Sequence, residues 1–160
     1  MWWLLALLLF LPFAIVLLVG APYLPTRKKQ VNEALDILAL KPGELLVDLG
    51  CGDGVVLVEA AKRGIRAEGY ELNPIVCAVA YIRTWRYRAL VTVRCRDFWS
   101  VRLPADTKAV YTFLLDPYME KLDRKLTGEL KRGSKLLSYT FTIPGKKPAS
   151  AKNACYLYRY

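Results

Sequence analysis

The chain has 160 residues, 54% of them hydrophobic, with 24 Lys+Arg against 14 Asp+Glu and a formal net charge of +10. It contains no histidine, which excludes Ser-His-Asp and Cys-His nucleophilic sites and histidine metal ligands. Its cysteines, Cys51, Cys77, Cys95 and Cys155, form no CxxC pair, so no metal site and no disulfide framework is expected, and a reducing compartment is.

Residues 1–26 carry no charged side chain. As a helix, residues 1–20 (MWWLLALLLFLPFAIVLLVG) span about 30 Å, the thickness of a bilayer hydrocarbon core. Trp2 and Trp3 suit one membrane interface and Tyr23 the other, and Pro12 is a kink that membranes tolerate. A signal peptide cleaved near Val19 and Ala21 is an alternative, as is a docking helix. A signal peptide, however, carries its positive charges before the apolar run, and here Arg27, Lys28 and Lys29 follow it. A single-pass anchor is therefore expected, with the rest of the chain on the cytoplasmic side.

Residues 21–26 form a stiff link, and Thr26 is a candidate cap for the next helix. Val31, Ala34, Leu35 and Leu38 repeat at helical spacing, and Lys41-Pro42-Gly43 ends that helix. Residues 45–49 are a short apolar run ending in a glycine loop, the pattern of a buried parallel strand. A helix is expected over 54–62 and a strand over 67–72. A second helix is expected over 74–87, with Pro74 in its first turn. Strands are expected over 90–95 and 109–115, a helix over 118–130, and β segments over 135–143 and 154–160. Alternation of strands and helices predicts a mostly parallel α/β sheet. The last two strands have no helix between them, which predicts an antiparallel hairpin at one edge.

The glycines of Asp48-Leu49-Gly50-Cys51-Gly52-Asp53-Gly54 are spaced GxGxG. A dinucleotide fingerprint needs GxGxxG, and Val55 stands at its third glycine. The pattern instead resembles class I S-adenosylmethionine-dependent methyltransferases, in which an acid-bearing strand leads into GxGxG. Glycines let the backbone lie against a ligand without a Cβ in the way. In that setting Asp48 can accept from the cofactor's ammonium group, and Glu71, at the end of the second strand, from both ribose hydroxyls. Asp97 can accept from the adenine amino group while Phe98 or Trp99 covers the ring. Cys51 and Asn73 complete the candidate cofactor set with Gly50 and Gly52. Asp116 and Tyr118 follow the fourth strand and are the candidate acceptor-side residues. In open α/β sheets, ligands bind outside the carboxyl ends of the strands, where all these residues lie.

GAPYLPT at 20–26, KPGELLVDLGCGDG at 41–54, AAKRGIRAEGYELNP at 60–74 and CRDFW at 95–99 resemble the lysine methyltransferases of the adenine nucleotide translocase and the ATP synthase c-subunit, with their prokaryotic relatives. The resemblance implies a Rossmann-like methyltransferase sheet with S-adenosylmethionine as donor and a protein lysine as acceptor. The partner is then a protein substrate, one that can itself be embedded in the bilayer that residues 1–20 span. It divides the chain into an anchor (1–25), a linker helix (26–43) and a methyltransferase domain (44–160). Cys51 stands where the family pattern suggests serine, and Asp116 is not expected in the mitochondrial enzymes. Asp116-Pro117-Tyr118 also approaches the Asp-Pro-Pro-Tyr motif of enzymes that methylate exocyclic amines of bases, and a charge of +10 suits a phosphate backbone. A nucleic-acid or small-molecule acceptor is thus the rival expectation, and a non-enzymatic cofactor-binding protein a third. Methyl transfer to an amine needs no histidine if the site positions and desolvates its reactants.

Overall fold

The computed structural model describes residues 28–160. The expected anchor and the Thr26 cap lie outside the described residues. Among the described residues no helix is long and apolar enough to cross a membrane.

Helix α1 (Lys28–Leu38) buries Val31, Ala34, Leu35 and Leu38, one face at helical spacing. It ends where Ala39 turns to a positive φ of 47°. Expected as a linker, α1 packs into the same core as the helices that follow. Strand β1 (Leu45–Leu49) is buried along its whole length. Helix α2 (Val55–Lys62) leads to β2 (Arg66–Glu71), and α3 (Pro74–Thr84) continues as a 3-10 turn before β3 (Val91–Cys95). A second 3-10 turn (Phe98–Ser100) precedes β4 (Thr107–Thr112), and α4 (Asp116–Glu129) leads to β5 (Lys135–Tyr139). The chain closes with β6 (Ser150–Lys152) and β7 (Cys155–Arg159).

The seven strands lie in the order β3-β2-β1-β4-β5-β7-β6. Strands β1 to β5 pair in parallel, and β7 is antiparallel to both β5 and β6. Strand β1 has a parallel neighbour on each side and helices over both faces, which is why it is apolar except for Asp48. Successive side chains alternate across it. Leu46 joins a core with α1 and α2, and Leu45, Val47 and Leu49 join another with α4. Asp48 therefore shares the face of Leu46. The strand order reverses between β1 and β4, and such a switch point opens a crevice at the strands' carboxyl ends. There the Thr112 hydroxyl donates to the Leu49 carbonyl at 3.2 Å, tying β4 to β1.

The expected C-terminal hairpin differs in composition. Strand β7 sits between β5 and a short edge strand, β6, that periodicity does not reveal. All three residues of β6 are exposed, so it carries no apolar face to read. Its turn is Asn153-Ala154, with positive φ at both residues (50° and 61°), the primed geometry more often marked by Asn-Gly. The short polar edge discourages pairing with another chain. Strand β5 stops at Tyr139, short of 143, because Thr140 takes a φ of 74°. Strand β4 likewise ends at Thr112, not at residue 115.

Candidate active site

The glycine loop leaves β1 and is held against the end of β2. The Gly50 and Cys51 amides both donate to the Tyr70 carbonyl, at 3.0 and 2.9 Å. Such a close approach requires Gly69. A Cβ at Gly69 would stand 2.6 Å from Leu57 Cδ1 and 2.7 Å from Cys51 Sγ, far inside contact distance. Gly50 takes a φ of +85°, and a Cβ there would meet nothing within 4 Å. The space over the loop is open, as a ligand cradle must be.

Glu71 closes the loop from the far side. Its Oε2 accepts from the Gly52 amide at 3.0 Å and its Oε1 from the Asn73 amide at 2.8 Å. Each oxygen keeps a further lone pair for a ligand hydroxyl. Asp48 is 2% exposed, and no donor among the described residues bonds its carboxyl. Burial, then the charges of Glu71 and Asp53, push its pKa well above the ordinary carboxylate range. A buried carboxylate beside two like charges lacks a cation. Asp53 is turned aside by an ion pair with Arg83.

Two members of the expected cofactor set have other tasks. The Cys51 side chain points into the core against Gly69, and burial raises its thiol well above the ordinary value, so only its backbone faces the loop. Asn73 is buried, and its Oδ1 caps α3 by accepting from the Ile75 and Val76 amides at 2.9 and 3.3 Å. In this structure both side chains hold the shape of the loop and of the helix that follows it.

At the end of β3, Asp97 Oδ1 accepts from the Trp99 amide at 2.9 Å and starts the 3-10 turn. Phe98 packs on Trp99 with centroids 4.6 Å apart, and Trp99 lies 6.4 Å from Tyr118. Lys121 places its ammonium 4.2 Å over the Trp99 ring. Trp99 thus bridges the expected adenine side (Asp97, Phe98) to the expected acceptor side. Asp116 is exposed and is the first residue of α4. Leu115 holds the capping position with no side-chain bond, so Asp116 is not a cap. Its charge suits the positive end of the helix.

Sequence reasoning overlooked a second aromatic group. Phe113, just past β4, packs edge-on against Tyr139 at 5.3 Å and stacks on Phe141 at 5.9 Å. The left-handed turn at Thr140 brings Phe141 back, and Ser138 Oγ donates to the Phe141 carbonyl at 2.6 Å. A β-branched residue at positive φ is strained, and such strain collects at functional sites. The aromatic spacing Tyr139-x-Phe141 at a strand end was the available signal. These residues stand at the carboxyl ends of the parallel strands, the side on which an open α/β sheet binds its ligands. The arrangement can hold a cation and a diol and can shelter a desolvated amine.

Residues 48–150 match the ANTKMT methyltransferase domain. The adenine nucleotide translocase lysine N-methyltransferase of Mus musculus is 36% identical over 132 residues, covering 81% of this chain and 57% of that protein. The chain thus spans little more than half the length of that relative. A protein-lysine N-methyltransferase of Saccharolobus islandicus is 34% identical over 131 residues, covering 79% of this chain and 81% of that protein. Among solved structures, an RNA methyltransferase from Salinibacter ruber in complex with S-adenosyl-L-homocysteine superposes with a TM-score of 0.78 at 25% identity, covering 86% of this chain and 92% of that one. The acid-bearing strand that leads into an open glycine loop and the match over most of the described chain lead to one conclusion: the chain belongs to the ANTKMT methyltransferase domain family.

Proposed function

We propose that the chain is an S-adenosylmethionine-dependent protein-lysine N-methyltransferase, anchored in a membrane by residues 1–20 with its domain on the cytoplasmic side. The observation that carries the cofactor is the Asp48 carboxyl, buried under an open glycine loop with no donor to it among the described residues. Asp48 holds the ammonium group of the cofactor, and Glu71 takes its ribose hydroxyls. Asp97 accepts from the adenine amino group through the oxygen that does not bond Trp99, and Phe98 covers the ring. When bound, S-adenosylmethionine supplies an electrophilic methyl group on a sulfonium.

The protein's own work is on the acceptor. A lysine of pKa ~10.4 is neutral in only about one molecule in 2,500 at pH 7, and deprotonating it costs about 4.6 kcal/mol. Tyr118, Trp99, Phe113 and Phe141 offer an apolar wall for the lysine stem, and desolvation there favours the neutral amine. Asp116, exposed at the mouth, attracts the incoming ammonium. A carboxylate stabilises that charged form, so Asp116 orients the lysine and does not act as the base. Holding the nitrogen in line then supplies the remaining acceleration.

The lysine reading is supported by relatives named as lysine methyltransferases. An RNA acceptor is the second reading, favoured by the Salinibacter ruber neighbour and by the net charge of +10. Incubation of the full chain with methyl-labelled cofactor and a membrane extract separates the two. Label that survives nuclease and is lost to protease supports a protein acceptor. Label lost to nuclease overturns it.

A further inference from the structure

Helix α3 is apolar on two sides. Cys77, Ala80 and Thr84 face the core. At about 100° per residue, Ile75, Val79 and Ile82 fall on the opposite side and point away from the body. Ile82 is 74% exposed and Trp85, in the following turn, is 50% exposed. All the exposed large hydrophobic side chains among the described residues (Ile75, Val79, Tyr81, Ile82 and Trp85) lie on this one segment. A stripe of that kind on a basic protein marks an interaction face.

Its flanks carry the chemistry of a membrane interface. Tyr81 packs on Trp85 at 5.6 Å, and the Arg88 guanidinium lies 5.0 Å over the Trp85 ring. Neither Arg86 nor Arg88 pairs with a carboxylate among the described residues. Aromatic rings with polar edges and unpaired arginines around an apolar stripe suit a helix lying in an anionic headgroup layer. The course of the chain agrees. Lys28, the first described residue after the apolar N-terminal segment, lines a depression of about 230 Å³ together with Arg83 of α3. The first described residue therefore lies beside this helix.

We infer that α3 and its following turn form a second membrane contact, lying flat on an anionic bilayer with Ile75, Val79, Ile82 and Trp85 in the interface. The inference extends the reading of residues 1–20 as an anchor. It sets Glu71, three residues before α3, close to the bilayer, so the cradle would face substrates held at the membrane.

The test places the full chain in vesicles of brominated phosphatidylglycerol and phosphatidylcholine and reads tryptophan quenching. The Trp85→Phe variant reports Trp2, Trp3 and Trp99, and its difference from wild type isolates Trp85. Quenching of the Trp85 component, lost in Ile82→Asp and in Arg86→Glu/Arg88→Glu and weakened by salt, is the expected result. Quenching that persists in Trp85→Phe while the Trp85 component is unquenched leaves the anchor standing and overturns the second contact. Loss of both overturns the anchor as well. A Trp85 component unreached by bromine but shielded from aqueous iodide assigns the stripe to residues 1–20 or to a second copy, which also overturns the proposal.

Discussion

Replacing Glu71 with Gln tests the cradle at its hinge. The carboxylate accepts from the Gly52 and Asn73 amides at 3.0 and 2.8 Å, one with each oxygen. Glutamine keeps one acceptor oxygen and turns an NH₂ toward the other amide. One charge-assisted bond is lost, which is about 1.5–3 kcal/mol. The same exchange removes an acceptor from the proposed ribose contact. With about 1.4 kcal/mol per tenfold, S-adenosylhomocysteine should bind about 10- to 150-fold more weakly. A counter-effect has the opposite sign. Glu71 is the second cause, after burial, of the raised pKa of Asp48, so its neutralisation lowers that pKa. The apo fold should therefore lose less stability than the broken bond alone suggests. Calorimetry gives the affinity, and circular dichroism with thermal melts checks the fold. A dissociation constant unchanged within about twofold in a folded variant would refute the reasoning, because a clamp that binds ligand cannot lose an acceptor without cost.

The folded-state value of Asp48 lies above its ordinary 3.8, so its contribution favours folding at low pH and is lost as pH rises through the raised value. Denaturant melts of the apo protein should show stability falling above about pH 4 from this group, and Asp48→Asn should flatten that part of the curve; an unaltered profile contradicts the assignment. Gly69→Ala forces a Cβ to within 2.6–2.8 Å of Leu57 and Cys51, and overpacking of this kind costs about 1–3 kcal/mol, read as a melting temperature lowered by several degrees together with weaker cofactor binding. An unchanged melt would show that the loop does not depend on that approach. Asp116→Asn and Tyr118→Phe should lower kcat/KM for the acceptor while leaving cofactor affinity near wild type, as measured by methyl transfer and calorimetry. Equal loss of both would move these residues out of the acceptor side.

The elements that carry the cofactor reading were legible because they are local. Asp48 and the glycines lie in one seven-residue stretch, and Glu71 and Asp97 each end a short strand whose apolar pattern marks it. Helix α1 was legible from the spacing of Val31, Ala34, Leu35 and Leu38. Strand β6 was not, because three exposed polar or small residues carry no periodic signal. Cys51 and Asn73 were assigned to the ligand by their position in the motif. The sequence does not show which way they turn: one side chain turns under the loop and the other caps a helix.

The amino-acid sequence alone determined the class of protein, through an acid, a GxGxG turn and alternating strands and helices, and it restricted the chemistry by omitting histidine. The tertiary structure decided what surrounds that motif. Parallel pairing brought Glu71 onto the Gly52 amide across 19 residues of chain. A strained turn at Thr140 set Phe141 on Phe113, and Trp99 came to bridge two ends of the site. On α3 the sequence is apolar on two faces, and periodicity cannot tell which is covered. Only the packing of Cys77, Ala80 and Thr84 against the sheet left Ile75, Val79 and Ile82 outward. Covalent order specifies local conformation, but contacts between distant segments form only when the sheet closes, so the use of each side chain is settled by its neighbours in space.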